Sequence, residues 1–232
     1  ALALLSSCIK DSDPVVTGLE RAYLSGNGVF IMNEGNFRSG NGSLSFFSYD
    51  SMKIYNNIFR EANDRPLGDV PYSIGLYNNT AFILVNNSDK VEVANLKDMK
   101  SVTTIEKIVS PRYISFINSQ KAYVTSLYSD SIRIIDLHSK TATGYIPLEN
   151  TSESIVTASS RAYAANWTGG SKIFVINTLT DEVTDSIDVG IEPESMVVDR
   201  NNTLRVLCNG GWKRENYAEL VAVNTSTNTI SR

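Results

Sequence analysis

The side chains best suited to bind or react lie in polar segments that separate short apolar runs. Both tryptophans, Trp167 and Trp212, stand in segments otherwise rich in Asn, Gly and Ser. Aromatic rings in such segments suit the flat faces of a planar macrocycle, a sugar or a peptide side chain. Neighbouring arginine and glutamate would add charged hydrogen bonds. The candidate ligand-binding residues are Phe37, Arg38, Tyr72, Arg112, Tyr128, Glu153, Trp167, Glu194, Trp212 and Tyr217.

Some of these assignments have a structural alternative. Trp167 and Trp212 are also consistent with apolar wedges that pack between neighbouring repeats of the chain. Arg112 and Glu153 are equally consistent with an ion pair that joins two strands. Binding is favoured for the tryptophans because both fall in the same set of segments as the other aromatic candidates.

Catalytic and metal chemistry has few candidate residues. His138 is the single histidine, so a Ser-His-Asp triad or a histidine-based metal site has no second member. The sequence contains no HExxH, GxSxG, Walker or EF-hand motif. Glu34, Glu153 and Glu194 are the remaining candidates, as the acid pair of a hydrolase or lyase. We expect a protein that is not an enzyme and has no cofactor or metal, with the carboxylate pair as the lesser alternative.

Charge limits the partners. The 232 residues carry a formal net charge of −4, and Lys and Arg form no block. A weakly negative chain without a basic patch is a poor ligand for nucleic acid or an anionic membrane surface. The expected partner is therefore a small molecule or another protein.

A repeat of the chain must position these side chains. The apolar residues Ile74, Ile114, Ile155 and Met196 follow one another at spacings of 40, 41 and 41. Each begins a succession of four short apolar runs, and the third run ends in Asn or Asp, which suits the turn that follows. Four short strands per repeat predict the blades of an all-β β-propeller, with the innermost strand first.

The first and last repeats are irregular. Residues 28–60 match the second, third and fourth strands of a blade, the fourth over residues 53–59, and no innermost strand precedes them. Residues 229–232 lie inside the fourth strand of a fifth blade. We interpret residues 26–232 as an incomplete propeller of about five blades, taken from a ring of six or seven, with seven favoured. A five-bladed ring is the alternative.

The first 25 residues have the order of features found in exported lipoproteins. Ala1–Ser7 reads ALALLSS, an apolar run that ends in small residues and precedes Cys8. Leu5–Cys8 resembles the lipobox of bacterial lipoproteins, and the acidic residues that follow resemble the surface-export signal of Bacteroidetes lipoproteins. We expect residues 1–25 to be a signal-peptide tail, lipobox and surface tether, with lipid on Cys8. A chance cysteine in an ordinary terminus is the alternative, and Cys208 is left as a buried apolar residue.

The blade motifs resemble the YVTN/YncE type of seven-bladed propeller. Gly28–Phe37 (GVFIMNEGNF) is similar to the opening blade of surface propeller lipoproteins of Bacteroidetes, and Lys121–Ser126 (KAYVTS) and Glu192–Val198 (EPESMVV) resemble the same group. In that group, BtuG-type members capture cobalamin and related corrinoids above an outer-membrane transporter, and others are called surface layer proteins. The resemblance implies a lipid-anchored protein of the outer membrane that faces the cell exterior.

Strand order predicts where a ligand would bind. The connection between strands two and three and the crossover to the next blade emerge on one face, at the mouth of the central funnel. All ten candidate residues lie in these connections. We expect a non-enzymatic surface propeller that captures a small ligand there, corrinoid included, for an outer-membrane transporter. The alternative is a surface-layer scaffold that docks another protein and has no small ligand.

Overall fold

The chain folds into consecutive antiparallel β-sheets. A computed structural model of the protein describes Leu24, residues 26–213 and residues 216–231. Runs rich in β-branched and aromatic residues form the strands, and Asn, Asp, Gly and Ser form the turns. In this part of the chain the strands are β1 (Gly28–Asn33), β2 (Ser43–Ser48), β3 (Lys53–Tyr55), β4 (Pro71–Tyr77), β5 (Thr80–Val85), β6 (Lys90–Asn95), β7 (Ser101–Glu106), β8 (Pro111–Phe116), β9 (Lys121–Ser126), β10 (Ser131–Asp136), β11 (Thr141–Pro147), β12 (Ile155–Ala158), β13 (Arg161–Ala165), β14 (Lys172–Asn177), β15 (Glu182–Asp188), β16 (Pro193–Val198), β17 (Thr203–Cys208), β18 (Glu219–Asn224) and β19 (Thr229–Ser231).

The strands form five sheets, each a meander in chain order. Blade 1 has three strands, β1–β3, and blades 2 to 5 have four each: β4–β7, β8–β11, β12–β15 and β16–β19. The first strands of successive blades, β1, β4, β8, β12 and β16, lie side by side, which makes them the innermost strands. The prediction of an all-β propeller whose described chain covers about five blades is confirmed.

Blade 1 departs from the sequence-based expectation at its end. The predicted fourth strand over residues 53–59 stops at Tyr55, and a short helix, α1 (Ile58–Asn63), follows a left-handed Asn57. Ile58, Phe59 and Ala62 are buried, because the helix packs its apolar side against Leu44 and the rest of the blade 1 core. The strand assignment was wrong for residues 56–59.

Apolar side chains fill the space between neighbouring blades. Leu84 and Val91 of blade 2, for example, are fully buried against Val124 and Ile135 of blade 3. Burying one such side chain contributes about 1.5–3 kcal/mol, so each seam holds its two blades firmly. Cys208 is fully buried at the seam of blades 4 and 5, as expected from its strand sequence.

The predictions of a lipid anchor and of the ring size concern parts of the protein outside the described residues. Cys8 and the proposed tether of residues 1–25 fall outside the described residues, Leu24 excepted, so lipidation stays a prediction. The ring size of the complete propeller also stays a prediction. Within the described residues, no helix has the length and apolar character needed to cross a membrane.

Candidate functional site

The loops between the second and third strands and the segments before the innermost strands meet at one end of the blades. Backbone hydrogen bonds join the two kinds of connection in blade 2 (Asn86 N to Val70 O, 2.8 Å) and in blade 3 (Leu127 N to Ser110 O, 3.1 Å). The bond from Gly42 N to Gly68 O (3.2 Å) attaches the β1–β2 loop to the same end. We call this end the funnel face; its parts are residues 34–42, 68–72, 86–89, 109–113, 127–130, 150–154, 166–171, 190–194, 209–213 and 216–218.

The innermost strands of blades 2, 3 and 5 begin with an irregular pairing, and the chain just before the innermost strand of blade 4 is irregular as well. In β4 the ladder passes from Pro71 to Ser73 against consecutive residues of β5, which leaves Tyr72 as an extra residue. Glu194 is the extra residue of β16 in the same way, and in β8 the irregularity covers Arg112 and Tyr113. Before β12, Glu153 and Ser154 both bond to one partner, Ala165. A bulge turns a side chain out of the sheet alternation, so these positions point away from the blade core.

The backbone just before these strands is strained. Val70, Ser110 and Glu192 have φ values of 53°, 41° and 52°, and each precedes a proline. The left-handed region is unfavourable for residues with a Cβ, above all for a β-branched valine. The surrounding hydrogen bonds between the two kinds of connection must hold these residues in place, which fixes the backbone of the funnel face.

Arg112 and Glu153 form a buried ion pair across blades 3 and 4. Arg112 Nε donates to Glu153 Oε2 and Nη2 donates to Oε1, both at 2.7 Å. The two residues are 8% and 1% exposed. Burial acts to lower the pKa of Arg112, but the bonds to the Glu153 carboxylate outweigh it and the pKa is raised. The guanidinium therefore stays charged, and its charge is balanced inside the protein.

Aromatic rings enclose this pair. The Tyr72 hydroxyl donates to Glu153 Oε1 at 3.0 Å, although Tyr72 belongs to blade 2 and Glu153 to blade 4. Arg112 Cζ lies 3.4 Å from the centroid of the Tyr72 ring, which is a stacked cation–π contact. Tyr113 packs edge-on against Tyr72, with centroids 5.4 Å apart. Burial, the Tyr113 bond and the nearby Glu153 raise the pKa of Tyr72, so its hydroxyl stays protonated.

Trp167 stands at the blade 4 side of this cluster. Its ring centroid lies 5.9 Å from Arg112 Cζ, and the residue is half-buried. The indole nitrogen is buried and has no hydrogen-bond partner within the described chain. The Trp167 loop continues to blade 5, because Gly170 N donates to Trp167 O (3.2 Å) and Glu192 N donates to Gly170 O (2.7 Å).

The structure brings four of the ten candidates together: Tyr72, Arg112, Glu153 and Trp167. Sequence reasoning missed Tyr113, although it follows Arg112 directly in the repeat triplet Arg-Tyr-Ile. Glu194 lies half-buried at the equivalent place on β16. Phe37, Tyr128, Trp212 and Tyr217 lie on funnel-face loops and are 64%, 74%, 83% and 97% exposed. Arg38 stacks on Phe37 at 5.1 Å and is exposed with it.

Exposure separates the two tryptophans. Trp212 is 83% exposed, whereas Trp167 is half-buried, and the wedge interpretation stays an alternative for both. The ion-pair interpretation of Arg112 and Glu153 describes their contact correctly. Because Glu153 forms an ion pair with Arg112, its carboxylate is not a free member of the acid pair considered from the sequence.

Two further polar clusters lie away from the funnel face. Glu92, fully buried in β6, accepts hydrogen bonds from Arg65 and Ser101. Burial acts to raise the pKa of Glu92, but these bonds outweigh it and the pKa is lowered. In the turn after β14, Asp181 accepts from Tyr123 of the preceding blade. The described residues contain no group of three or more His, Cys, Asp and Glu side chains arranged to hold a metal ion.

Comparison with known proteins identifies a family but no activity. Residues 27–230 match the model of a family described as Domain of unknown function (DUF5074). A search of curated proteins found no match to the sequence.

The solved structures with similar folds belong to proteins of different kinds. Hydrazine synthase of Kuenenia stuttgartiensis has a TM-score of 0.65 at 18% identity, over 70% of this chain and 48% of its own. Dihydro-heme d1 dehydrogenase NirN, in complex with DHE, has a TM-score of 0.62 at 12% identity, over 82% and 41%. The computationally designed Ika8 protein has a TM-score of 0.62 at 8% identity, over 83% and 56%. The chain spans about half the length of these structures, and the likeness shows the fold alone.

Proposed function

We propose that this chain, which belongs to the DUF5074 family, is a non-enzymatic propeller that binds a small ligand on its funnel face. The observation that carries the proposal is the gathering of aromatic side chains on that face. Trp167, Tyr72 and Tyr113 lie beside a charge-balanced ion pair, and Trp212 and Tyr217 stand exposed on the neighbouring loop. Aromatic rings on a rigid support are the usual basis of ligand capture.

The rigidity of the funnel face supports binding over catalysis. The bulged strands and the strained residues before them hold the side chains in fixed places, which lowers the entropy that a ligand must overcome. Within the cluster, Glu153 is bound to Arg112, and the pKa of Tyr72 is raised, so neither is available as a base. We therefore assign a binding role to the cluster and no proton-transfer role.

The ligand and location follow from the resemblance seen in the sequence. Lipid on Cys8 would anchor the protein to the outer membrane with its propeller at the cell surface, where it would serve an outer-membrane transporter. A corrinoid is the first ligand to test, because BtuG-type propellers capture corrinoids and stacked aromatic rings suit a flat macrocycle. The similar structure of NirN was solved in complex with DHE, which keeps haem-like molecules in the screen.

A thermal-shift screen tests the binding role. The purified chain is heated with cyanocobalamin, haem, neutral oligosaccharides or divalent metals, and a ligand in large excess over its Kd raises the melting temperature. We expect one of the organic ligands to do so, and Trp167→Ala to remove the shift. The matched control is Tyr145→Ala, because Tyr145 is 62% exposed on β11, away from the funnel face. If the ligand raised the melting temperatures of Trp167→Ala and Tyr145→Ala equally, Trp167 would not be part of the binding site.

A protein-docking scaffold is the second candidate function. Trp212 and Tyr217 are exposed on the β17–β18 loop, and aromatic residues of this kind are frequent anchors of protein interfaces. This function predicts no thermal shift with any small molecule. It also predicts cross-links to one surface protein on intact cells that Trp212→Ala abolishes and Tyr145→Ala leaves in place.

A further inference from the structure

The hydrogen bonds of Arg112 leave one of its nitrogens without a partner. Nε and Nη2 donate to Glu153 Oε2 and Oε1, both at 2.7 Å. Nη1, which carries two more N–H groups, has no hydrogen-bond partner within the described residues, and it is not one of their fully buried polar atoms. The whole residue is only 8% exposed, so little water reaches this nitrogen. A donor in such a place is costly to leave unpaired, and a ligand that supplies an acceptor relieves that cost.

Glu153, by contrast, is engaged on both of its oxygens. Oε2 accepts from Arg112 Nε, and Oε1 accepts from Arg112 Nη2 and from the Tyr72 hydroxyl at 3.0 Å. Tyr72 has a single hydroxyl proton, so Tyr113 is the donor in the 3.4 Å contact between the two tyrosine hydroxyls. The unused hydrogen-bonding group of the ion pair is therefore a donor, on the guanidinium.

Trp167 adds an aromatic ring and a second unpaired donor beside Arg112. The guanidinium lies close to two rings, because Arg112 Cζ is 3.4 Å from the centroid of Tyr72 and 5.9 Å from that of Trp167. The Trp167 indole nitrogen can only donate, and it is buried without a hydrogen-bond partner within the described chain. A flat ligand that packs against the half-buried Trp167 ring lies within reach of Arg112, and the unpaired groups there require an acceptor.

The charges at this place favour an acceptor that is neutral. The Arg112 charge is already balanced by Glu153, which is 1% exposed. An anion at Nη1 would lie near the carboxylate that binds the other two nitrogens, and it would lose its own hydration without a free positive charge to replace it. A cation would bring donors to a site whose unpaired groups are donors. A carbonyl oxygen accepts the hydrogen bond without adding a charge.

We propose that Arg112 Nη1, beside Trp167, donates a hydrogen bond to a carbonyl oxygen on the edge of a neutral, flat ligand. This rests on the proposed binding function and gives its ligand a chemical class, a planar molecule that carries amide, lactam or ketone oxygens. Arg112 then has two roles. Nε and Nη2 join blades 3 and 4 through Glu153, and Nη1 binds the ligand.

Benzamide, benzamidine and benzoate test the inference, because they share one flat ring and differ in acceptors and charge. Benzamide offers a neutral carbonyl oxygen, benzamidine offers only donors, and benzoate offers negatively charged oxygens. Binding to the full chain is followed by saturation-transfer NMR and by tryptophan emission. We expect benzamide to bind about five-fold more tightly than benzamidine, and also more tightly than benzoate. The affinity for benzamide should not change with salt, since the ligand is uncharged.

Variants of the chain assign the preference to Arg112. The double variant Arg112→Met with Glu153→Met removes the donor and leaves no unpaired charge buried, so benzamide should bind to it as weakly as benzamidine does. Trp167→Ala should weaken all three ligands alike. The matched control Tyr145→Ala, away from the funnel face, should change nothing. The comparison of ligands on the parent chain does not depend on the stability of any variant.

The outcomes distinguish the inference from the function beneath it. Equal, Trp167-dependent binding of benzamide and benzamidine would overturn the acceptor site and leave the binding face in place. Tightest binding of benzoate, weakened by salt, would overturn the neutral class of ligand. A benzamide preference that persists in a folded double variant would overturn the assignment to Arg112. Absence of any Trp167-dependent binding would overturn both the inference and the proposed function.

Discussion

Removing Arg112 should destabilise the propeller strongly, because it leaves the buried Glu153 carboxylate without its cation. In the variant Arg112→Met, Glu153 stays buried at 1% exposure and keeps the Tyr72 hydroxyl as its side-chain donor. Breaking a buried ion pair from one side costs about 3–5 kcal/mol. In a domain of this size each kcal/mol lowers the melting temperature by roughly 2–4 °C, so we expect a fall of about 6–20 °C.

Calorimetry of four variants at neutral pH checks this expectation. Glu153→Met should lower the melting temperature by a similar amount. The double variant should recover much of the loss, because it leaves no unpaired charge buried. Lys172→Met is the matched control. Lys172 Nζ lies 3.9 Å from Glu149 Oε2, with side chains 45% and 85% exposed, so its loss should cost less than about 1 kcal/mol. The reasoning would be refuted if Arg112→Met lowered the melting temperature no more than Lys172→Met does. It would also be refuted if the loss in the double variant equalled the sum of the losses in the two single variants.

Other parts of the fold make separate predictions. Tyr123→Phe should lower the unfolding free energy by about 1.5–3 kcal/mol, measured in urea, because the hydroxyl bonds to the Asp181 carboxylate; an unchanged midpoint would contradict this. Since the folded pKa of Glu92 is lowered, its contribution to stability is present above the ordinary glutamate pKa and lost as pH falls; Glu92→Gln should therefore melt with a weaker acid dependence between about pH 7 and pH 3. Burial, then Glu219 and Asp188, raise the pKa of Cys208 to about 11, so in Cys8→Ser protein a thiol reagent at neutral pH should label it only after unfolding; rapid native labelling would show that it is accessible.

The repeat register was sufficient to predict most of the blades. The spacing of Ile74, Ile114, Ile155 and Met196 located four innermost strands, because a strand that faces two neighbouring blades must be apolar wherever it recurs. The same register placed the loops of Trp167 and the other candidates on one face. Strand order alone decides which connections share a face, so this part needed no knowledge of side-chain packing.

Contacts between blades could not be predicted in the same way. Glu92 stands in the apolar run Val91–Val93, and nothing local shows that its partner Arg65 lies 27 residues earlier. Helix α1 was missed because Ile58, Phe59 and Ala62 are too few to show a helical period. The bulges at Tyr72 and Glu194 depend on ladder register, which a single sequence does not show.

On the funnel face the backbone repeats from blade to blade, whereas the side chains differ. Left-handed residues precede β4, β8 and β16, and each of these three innermost strands starts with an irregular pairing, so the backbone repeats there from blade to blade. The residues at the equivalent places of blades 2 to 5 are Tyr72, Arg112, Glu153 and Glu194, so the side chain varies although blades 4 and 5 both carry a glutamate. Packing of a repeated blade would favour similar residues at equivalent places. The differences therefore reflect contacts across the funnel, such as the ion pair of Arg112 with Glu153 and the hydrogen bond that Tyr72 donates to Glu153.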